Sequence, residues 1–119
     1  MGFPRSCNTR VNQTAKKQPP VPELLPLDFL RSAAECLKCA AHPHRLRILE
    51  ILFSGKFTVE EVAQMCRLSQ PATSGHLRLM EAKGLLVSQR VGRLVYYSVS
   101  DTHMKGVIEC VRKRYQDNQ

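Results

Sequence analysis

The chain has 119 residues, carries a formal net charge of +8 at pH 7 and contains five cysteines. This length suits one small domain, and the positive charge favours a polyanionic partner such as nucleic acid. No apolar run approaches the ~20 residues of a membrane span, and the start of the chain lacks the apolar core of a signal peptide. We therefore expect a cytoplasmic protein that does not contact a membrane and whose cysteines are reduced thiols.

Composition divides the chain into three parts. Residues 1–22 contain four prolines, four basic residues, no acid and few apolar side chains. Such a segment cannot offset the entropy cost of ordering, so a disordered basic arm is predicted there. Periodic apolar patterns follow, and we expect a folded domain over residues 23–116 and a short tail over residues 117–119.

Three helices are predicted in the first half of the domain. An apolar stripe indicates a helix over about residues 27–41, and Pro43 then opens a second, strongly apolar helix over about residues 44–53. Thr58 and Glu61 have the spacing of a capping box, which predicts the start of a third helix.

The fourth predicted helix, over about residues 68–80, has two contrasting faces. Ser69 is a good N-cap, and the spacing of Thr73, Leu77 and Met80 marks one buried face. The opposite face carries hydrogen-bond donors and no acid. Such a face suits a DNA groove, because Gln, Ser and Arg recognise base edges or bind phosphate. By itself, the pattern would equally fit an ordinary amphipathic surface helix.

The elements around this helix decide between the two interpretations. The apolar period changes to two over residues 85–90 and 94–99, which predicts a hairpin that turns at residues 91–93. Ser100-Asp101 then caps a last helix over about residues 102–115. The predicted order is α-α-α-α-β-β-α, a mainly helical winged helix-turn-helix. In that arrangement the fourth helix is the recognition helix in the major groove, and the basic hairpin is the wing.

Three sequence signatures occur together and in a characteristic order. They are Pro43-x-Arg45-Leu46-x-Ile48-Leu49, Leu68-Ser69-Gln70…Ser74…His76-Leu77 and Gly92-Arg93…Tyr96-Tyr97. Over about residues 27–115 the chain thus resembles the ArsR/SmtB-type winged-helix transcriptional repressors. The resemblance implies a homodimer built through the first and last helices, which binds double-stranded operator DNA and releases it when a small effector binds. The identity of that effector does not follow from the sequence.

The recognition helix departs from the family pattern at one position. Gly75 stands where many members carry Arg or Gln facing DNA, and glycine costs roughly 1 kcal/mol of helix propensity relative to alanine. We therefore expect the arginines of the helix and the wing to supply more of the affinity. The residues predicted to contact DNA are Gln70, Pro71, Thr73, Ser74, His76, Arg78, Arg90 and Arg93.

The resembled family is best known for sensing metals, but its usual sites are incomplete in this chain. The Cys-x-Cys pair of the third-helix site is absent from residues 57–62. The last-helix site of the family combines Asp-x-His of one chain with a histidine and an acid of the partner chain. Asp101 and His103 match the first pair and Asp117 matches the second acid, yet Arg114 occupies the expected histidine position, which makes a poor zinc site. We therefore expect neither a metal nor another cofactor.

Three cysteines form an alternative sensor. Cys36 and Cys39 share one face of the first helix, and Cys110 of the last helix could approach them if the two end helices pack together. Thiolates in such a group could bind a soft ion or form a redox pair. The ordinary interpretation is that cysteines are small, buried apolar residues. A thiol- or metalloid-responsive repressor stays open as the alternative within this class.

An enzyme is not expected. His42, His44, His76 and His103 are not grouped in the sequence with an obvious nucleophile or acid pair, and no glycine-rich phosphate loop is present. The alternative from another class is a winged-helix protein-interaction module that binds no DNA.

Overall fold

The computed structural model describes residues 21–100 and 102–119. The predicted arm over residues 1–22 lies outside this part except for residues 21 and 22, which have no regular secondary structure, and Asp101 lies outside it as well. The elements are helices α1 (Leu27–Ala40), α2 (Pro43–Leu52), α3 (Val59–Cys66), α4 (Gln70–Ala82) and α5 (Met104–Asp117), and strands β1 (Phe57–Thr58), β2 (Leu86–Val91) and β3 (Leu94–Val99).

The predicted order of four helices, a hairpin and a last helix is confirmed, and the helix and strand boundaries lie within two residues of the predicted ones. Helix α5 continues through Asp117, one residue beyond the domain boundary that composition suggested. None of the helices in the described ranges has the length and hydropathy needed to span a membrane.

The structure adds one strand that the sequence pattern did not predict. Strand β1 pairs antiparallel with β3, so that Phe57 lies opposite Tyr97 and Thr58 opposite Tyr96 in a sheet of order β1-β3-β2. Two residues are too few to show a period of two, which explains why the pattern missed this strand. The strand fixes the wing to the start of α3.

Helix α2 lies at the centre of the core, as its apolar sequence predicts. Its Ile48 and Leu49 side chains are fully buried, and so are Leu77 and Met80 on the inner face of α4. The other buried apolar side chains are Cys39, Ala40, Leu52, Val62, Ala63, Leu85, Leu86, Tyr97, Met104 and Ile108. Because one face of α4 is fixed in this core, its opposite face is held in a defined orientation toward solvent.

The turn between α3 and α4 is tight and contains an unusual backbone conformation. The predicted capping box at the start of α3 is confirmed, with the Thr58 side chain accepting from the Glu61 N–H and the Glu61 carboxylate accepting from the Thr58 N–H. Arg67 is the C-cap that follows α3, and its φ of 59° is the one positive φ of a non-glycine residue in the described ranges. A left-handed residue here turns the chain directly into the cap of α4, as a helix-turn-helix requires.

Candidate nucleic-acid interface

Two hydrogen bonds fix the first turn of α4. The Ser69 hydroxyl accepts from the Ala72 N–H at 3.2 Å, which confirms the predicted N-cap. The Thr73 hydroxyl donates to the Ser69 carbonyl at 2.9 Å, and the Thr73 side chain is fully buried. The prediction that Thr73 contacts DNA is therefore wrong, because its one polar atom is bonded within the helix and is inaccessible. The helical period, which placed Thr73 on the buried face, is confirmed.

The outward face of α4 carries a paired serine and arginine. Arg78 Nη2 donates to Ser74 Oγ at 2.8 Å, one helical turn away, and this contact is exposed. Gln70 and Pro71, at the start of the helix, are also exposed. The hydrogen bond that Arg78 donates to Ser74 limits the rotamers of the long Arg78 side chain, so less side-chain entropy remains to be lost when the guanidinium binds a ligand.

Gly75 lies on the same solvent-facing side, and packing does not require a glycine there. A Cβ atom built at Gly75 would meet no neighbouring atom within 4 Å. Its φ is also not positive, because the glycines with positive φ are Gly55, Gly84 and Gly92. A larger side chain at position 75 would therefore fit on the solvent-facing side of α4 without a clash.

The wing presents two exposed arginines around its turn. Val91 pairs with Leu94, which leaves Gly92 and Arg93 as a two-residue turn, one residue shorter than predicted. Gly92 has a φ of 65°, in keeping with glycine at the first central position of a type II′ hairpin turn. Arg93 therefore stands at the tip of the wing, and Arg90 lies just before the turn on β2.

The one acid between residues 67 and 99 is bonded to another side chain. Glu81 Oε2 accepts from the Ser88 hydroxyl at 2.8 Å, which joins the end of α4 to β2. Glu81 also lies near Tyr97, whose pKa is raised mainly by burial and further by this carboxylate. The nearby positive charge of Arg78 lowers the pKa of Tyr97, so Glu81 and Arg78 act on Tyr97 with opposite signs where α4 meets the sheet.

His76 takes part in contacts between α4 and the start of α2. Its Nδ1 accepts from Arg45 Nε at 3.2 Å, and Arg45 Nη1 donates to the Cys39 carbonyl at 3.1 Å. Its ring centroid lies 4.9 Å from that of His42 and 6.2 Å from that of His44. Burial lowers the pKa of His76, and the positive charge of Arg45 and the other two imidazoles lower it further. The neutral form of His76 is therefore favoured, and its ring is held by the hydrogen bond from Arg45.

The three residues His42, His44 and His76, which we call the histidine cluster, were not predicted to meet. Sequence spacing contains no signal for this, because His76 lies 34 positions after His42 and 32 after His44, and only the tertiary structure brings the three together. Among the described residues, this cluster is the one group of three or more His, Cys, Asp or Glu side chains whose ligand atoms converge.

The cysteines of the alternative sensor do not converge within one chain. Cys36 Sγ donates to the Lys83 carbonyl at 3.6 Å, Cys39 is buried, and Cys110 is exposed on α5. Within the chain α5 packs against α2. The contact of Cys36 joins α1 to the end of α4, next to an ion pair of 3.7 Å between Lys83 and Glu35.

The residues of the last-helix metal site are also separated within one chain. His103 immediately precedes α5 and Asp117 is its last residue. The 14 residues of this helix, at 1.5 Å per residue, place them about 20 Å apart. Asp101 lies outside the described residues.

The fold and this surface define a winged helix-turn-helix DNA-binding domain, with α3 and α4 as the motif and the β2–β3 hairpin as the wing. The model of the family described as "Bacterial regulatory protein, arsR family" matches residues 42–88. A relative named transcriptional repressor SmtB homolog, from Synechocystis sp., is 33% identical over 97 residues, which is 82% of this chain and 74% of that protein. The chain belongs to the arsR family of bacterial regulatory proteins and is a DNA-binding transcriptional regulator.

Two further proteins are similar to this chain, the first in sequence and structure and the second in fold. The transcriptional activator HlyU of Vibrio cholerae is 35% identical over 88 residues, 73% of this chain and 82% of that protein. Its structure aligns with a TM-score of 0.68 over 73% of this chain and 95% of that chain, at 32% identity. A winged helix-turn-helix domain from Mycobacterium bovis, described as homodimeric, aligns with a TM-score of 0.68 at 24% identity, over 77% of this chain and 85% of that chain, and shows the shared fold.

Proposed function

We propose that the protein is a cytoplasmic, homodimeric transcriptional repressor, not an enzyme, that binds a specific double-stranded operator. The observation that carries this proposal is the exposed Ser74–Arg78 pair on α4, a helix whose opposite face is fully buried. A base contact requires a donor that is both accessible and fixed in position, and this pair meets both conditions. Domain boundaries near residues 23 and 116 are part of the same proposal.

Each element of the surface has its own role in the proposed complex. Gln70, Ser74 and Arg78 on α4 contact base edges in the major groove, and Pro71 packs at the groove edge. Arg90 and Arg93 of the wing bind phosphates or the adjacent minor groove, where charge matters more than sequence. Thr73 is excluded by its burial, and His76 acts inside the protein.

Exposed apolar side chains on α1 and α5 support the homodimer. Leu27 of α1 is 61% exposed and Leu37 is 49% exposed, while Tyr115 of α5 is 65% exposed and Val111 is 45% exposed. Burying apolar groups of this size against a second copy of the chain is more favourable than leaving them exposed to water. A two-fold dimer would present its two α4 helices to half-sites about one helical turn of DNA apart. The homodimer described for the Mycobacterium bovis domain agrees with this arrangement.

A salt-dependent binding experiment tests this function. We expect the protein to bind DNA from its own upstream region more tightly than unrelated DNA, with an affinity that falls as salt rises. Arg93→Ala would weaken binding to both DNAs and reduce the salt slope by about 0.9 for each phosphate that the variant no longer neutralises. Lys56→Ala, which removes an exposed charge just before β1, is the matched control and would leave the slope unchanged.

Two outcomes would contradict the proposal. Equal affinity of the parent, Arg93→Ala and Lys56→Ala for both DNAs would indicate a protein-interaction module instead of a DNA-binding one. A chain that sediments as a monomer at micromolar concentration would contradict the homodimer.

A further inference from the structure

The histidine cluster brings together three imidazole side chains from two elements. His42 is the N-cap of α2, His44 lies in the first turn of α2, and His76 lies in the middle of α4. One ring nitrogen of each lies within 4.8 Å of the others. His42 and His76 are half-buried and His44 is exposed, so the cluster is accessible from solvent on one side.

We propose that the histidine cluster is a binding site for a divalent transition-metal ion of the zinc, cobalt, nickel or copper type, which joins the recognition helix to α2. Imidazole nitrogen suits these ions, whereas calcium and magnesium prefer oxygen ligands. Three imidazoles and one water complete a four-coordinate sphere. Because the proposal concerns metal binding, it does not depend on the proposed operator binding.

To bind one ion, the three imidazole rings must move slightly closer together. Metal–nitrogen bonds of about 2.0–2.1 Å in a tetrahedral site place the ligand nitrogens about 3.4 Å apart. The observed separations of up to 4.8 Å must therefore shorten. The exposed His44 side chain can supply much of this movement by rotating about its own χ angles, since it is not packed in the core.

Metal binding exchanges one set of contacts for another. In the structure, Nδ1 of His76 accepts from Arg45, and Nδ1 of His42 accepts from the His44 N–H. A neutral imidazole has one nitrogen lone pair, and coordination uses it. If the metal takes Nδ1 it replaces the donor directly, and if it takes Nε2 then Nδ1 carries a proton and cannot accept. The Arg45–His76 hydrogen bond is therefore broken when the ion binds.

The surroundings limit the expected affinity. Arg45 is positively charged, and the N-terminal end of α2 carries a partial positive charge, so both oppose a dication. Within the described ranges, no carboxylate belongs to the converging group. We therefore expect binding in the micromolar range, far weaker than the tightest zinc sites, and reversible by a chelator.

The test is a titration of untagged, chelator-treated full-length protein with Co²⁺ and with Zn²⁺. We expect one ion per chain and, for Co²⁺, the visible absorption bands of a four-coordinate site. His44→Gln is the main variant, because its side chain is exposed and its loss should leave the fold intact. It would weaken metal binding at least tenfold, while thermal melting of the metal-free variant would match that of the parent.

Matched controls separate this site from the other candidates in the chain. His103→Gln removes an exposed histidine outside the cluster, and Cys36→Ser removes a thiol of α1. Both would bind metal like the parent. Unchanged binding by His44→Gln, tenfold weaker binding by His103→Gln or Cys36→Ser, or no binding at micromolar metal would each overturn the proposal. If a variant no longer binds metal but still binds the operator, the proposed repressor function stands.

Discussion

The recognition helix and the wing both present arginines to solvent, but they are held in place by different means. Helix α4 has three fully buried side chains on its inner face, Thr73, Leu77 and Met80. At the tip of the wing, by contrast, Val91 is 52% exposed and Leu94 is 51% exposed, and backbone pairing between β2 and β3 supplies the order there. Base recognition needs side chains fixed in position, whereas phosphate binding needs mainly charge at the right distance. The difference in packing thus matches the difference in proposed role.

The largest expected effect comes from removing the buried support of α4. Leu77→Ala leaves a cavity in the core and should reduce the free energy of unfolding by about 2–5 kcal/mol. Val91→Ala in the exposed wing should change it by about 0.5 kcal/mol or less. Urea denaturation of both variants measures this difference. Equal losses would show that the wing is as tightly coupled to the core as α4 is.

Operator preference should depend on the outward face of α4 more than on the wing. Arg78→Ala should reduce discrimination between the operator and a version with one base pair changed by about 1–3 kcal/mol, because it removes a proposed base contact. Ser74→Ala should alter the same preference in the same direction, since Ser74 holds Arg78. Competition binding with paired DNA duplexes provides the measurement. A loss of affinity that is uniform across all duplexes would instead assign Arg78 to phosphate.

Introducing a glycine in the turn before α4 should stabilise the protein, whereas removing the glycine from the turn of the wing should destabilise it. Arg67 has a left-handed conformation that costs a non-glycine residue roughly 1–2 kcal/mol, so Arg67→Gly should raise the free energy of unfolding by about 0.5–1 kcal/mol. Gly92→Ala places a side chain at positive φ in the wing and should lower it by about 1 kcal/mol. Thermal melting of both variants checks the pair. If Arg67→Gly is instead less stable than the parent, the Arg67 side chain contributes more to stability than the strain of its backbone costs.

The smallest expected effect is the pH dependence of stability that His76 of α4 produces. The pKa of His76 is lowered in the folded protein, so below about 6.5 the unfolded chain binds a proton more readily than the folded one. Stability should therefore fall as the pH drops through this range toward the folded pKa. Melting temperatures at about pH 7.5 and about pH 5.5 should differ less in His76→Gln than in the parent. An equal decline in both proteins would show that other groups carry the acid sensitivity.

Local sequence determined the elements and the outward surface of this protein. The period of the apolar residues, the caps at Thr58 and Ser69, and the change of period after residue 84 depend on neighbours within about one helical turn or one strand pair. The exposed arginines of α4 and the wing follow from the same pattern. These features were predictable because the interactions that produce them are short in sequence.

Tertiary structure alone decided which distant residues meet. The pairing of β1 with β3, the bond from Arg45 to His76 and the histidine cluster each join residues that lie tens of positions apart. Their contacts depend on how the helices pack around the shared core and how the sheet closes against α3, and a rotation of one helix by a fraction of a turn would separate them. No local period records that orientation. The packing of the whole core fixes it.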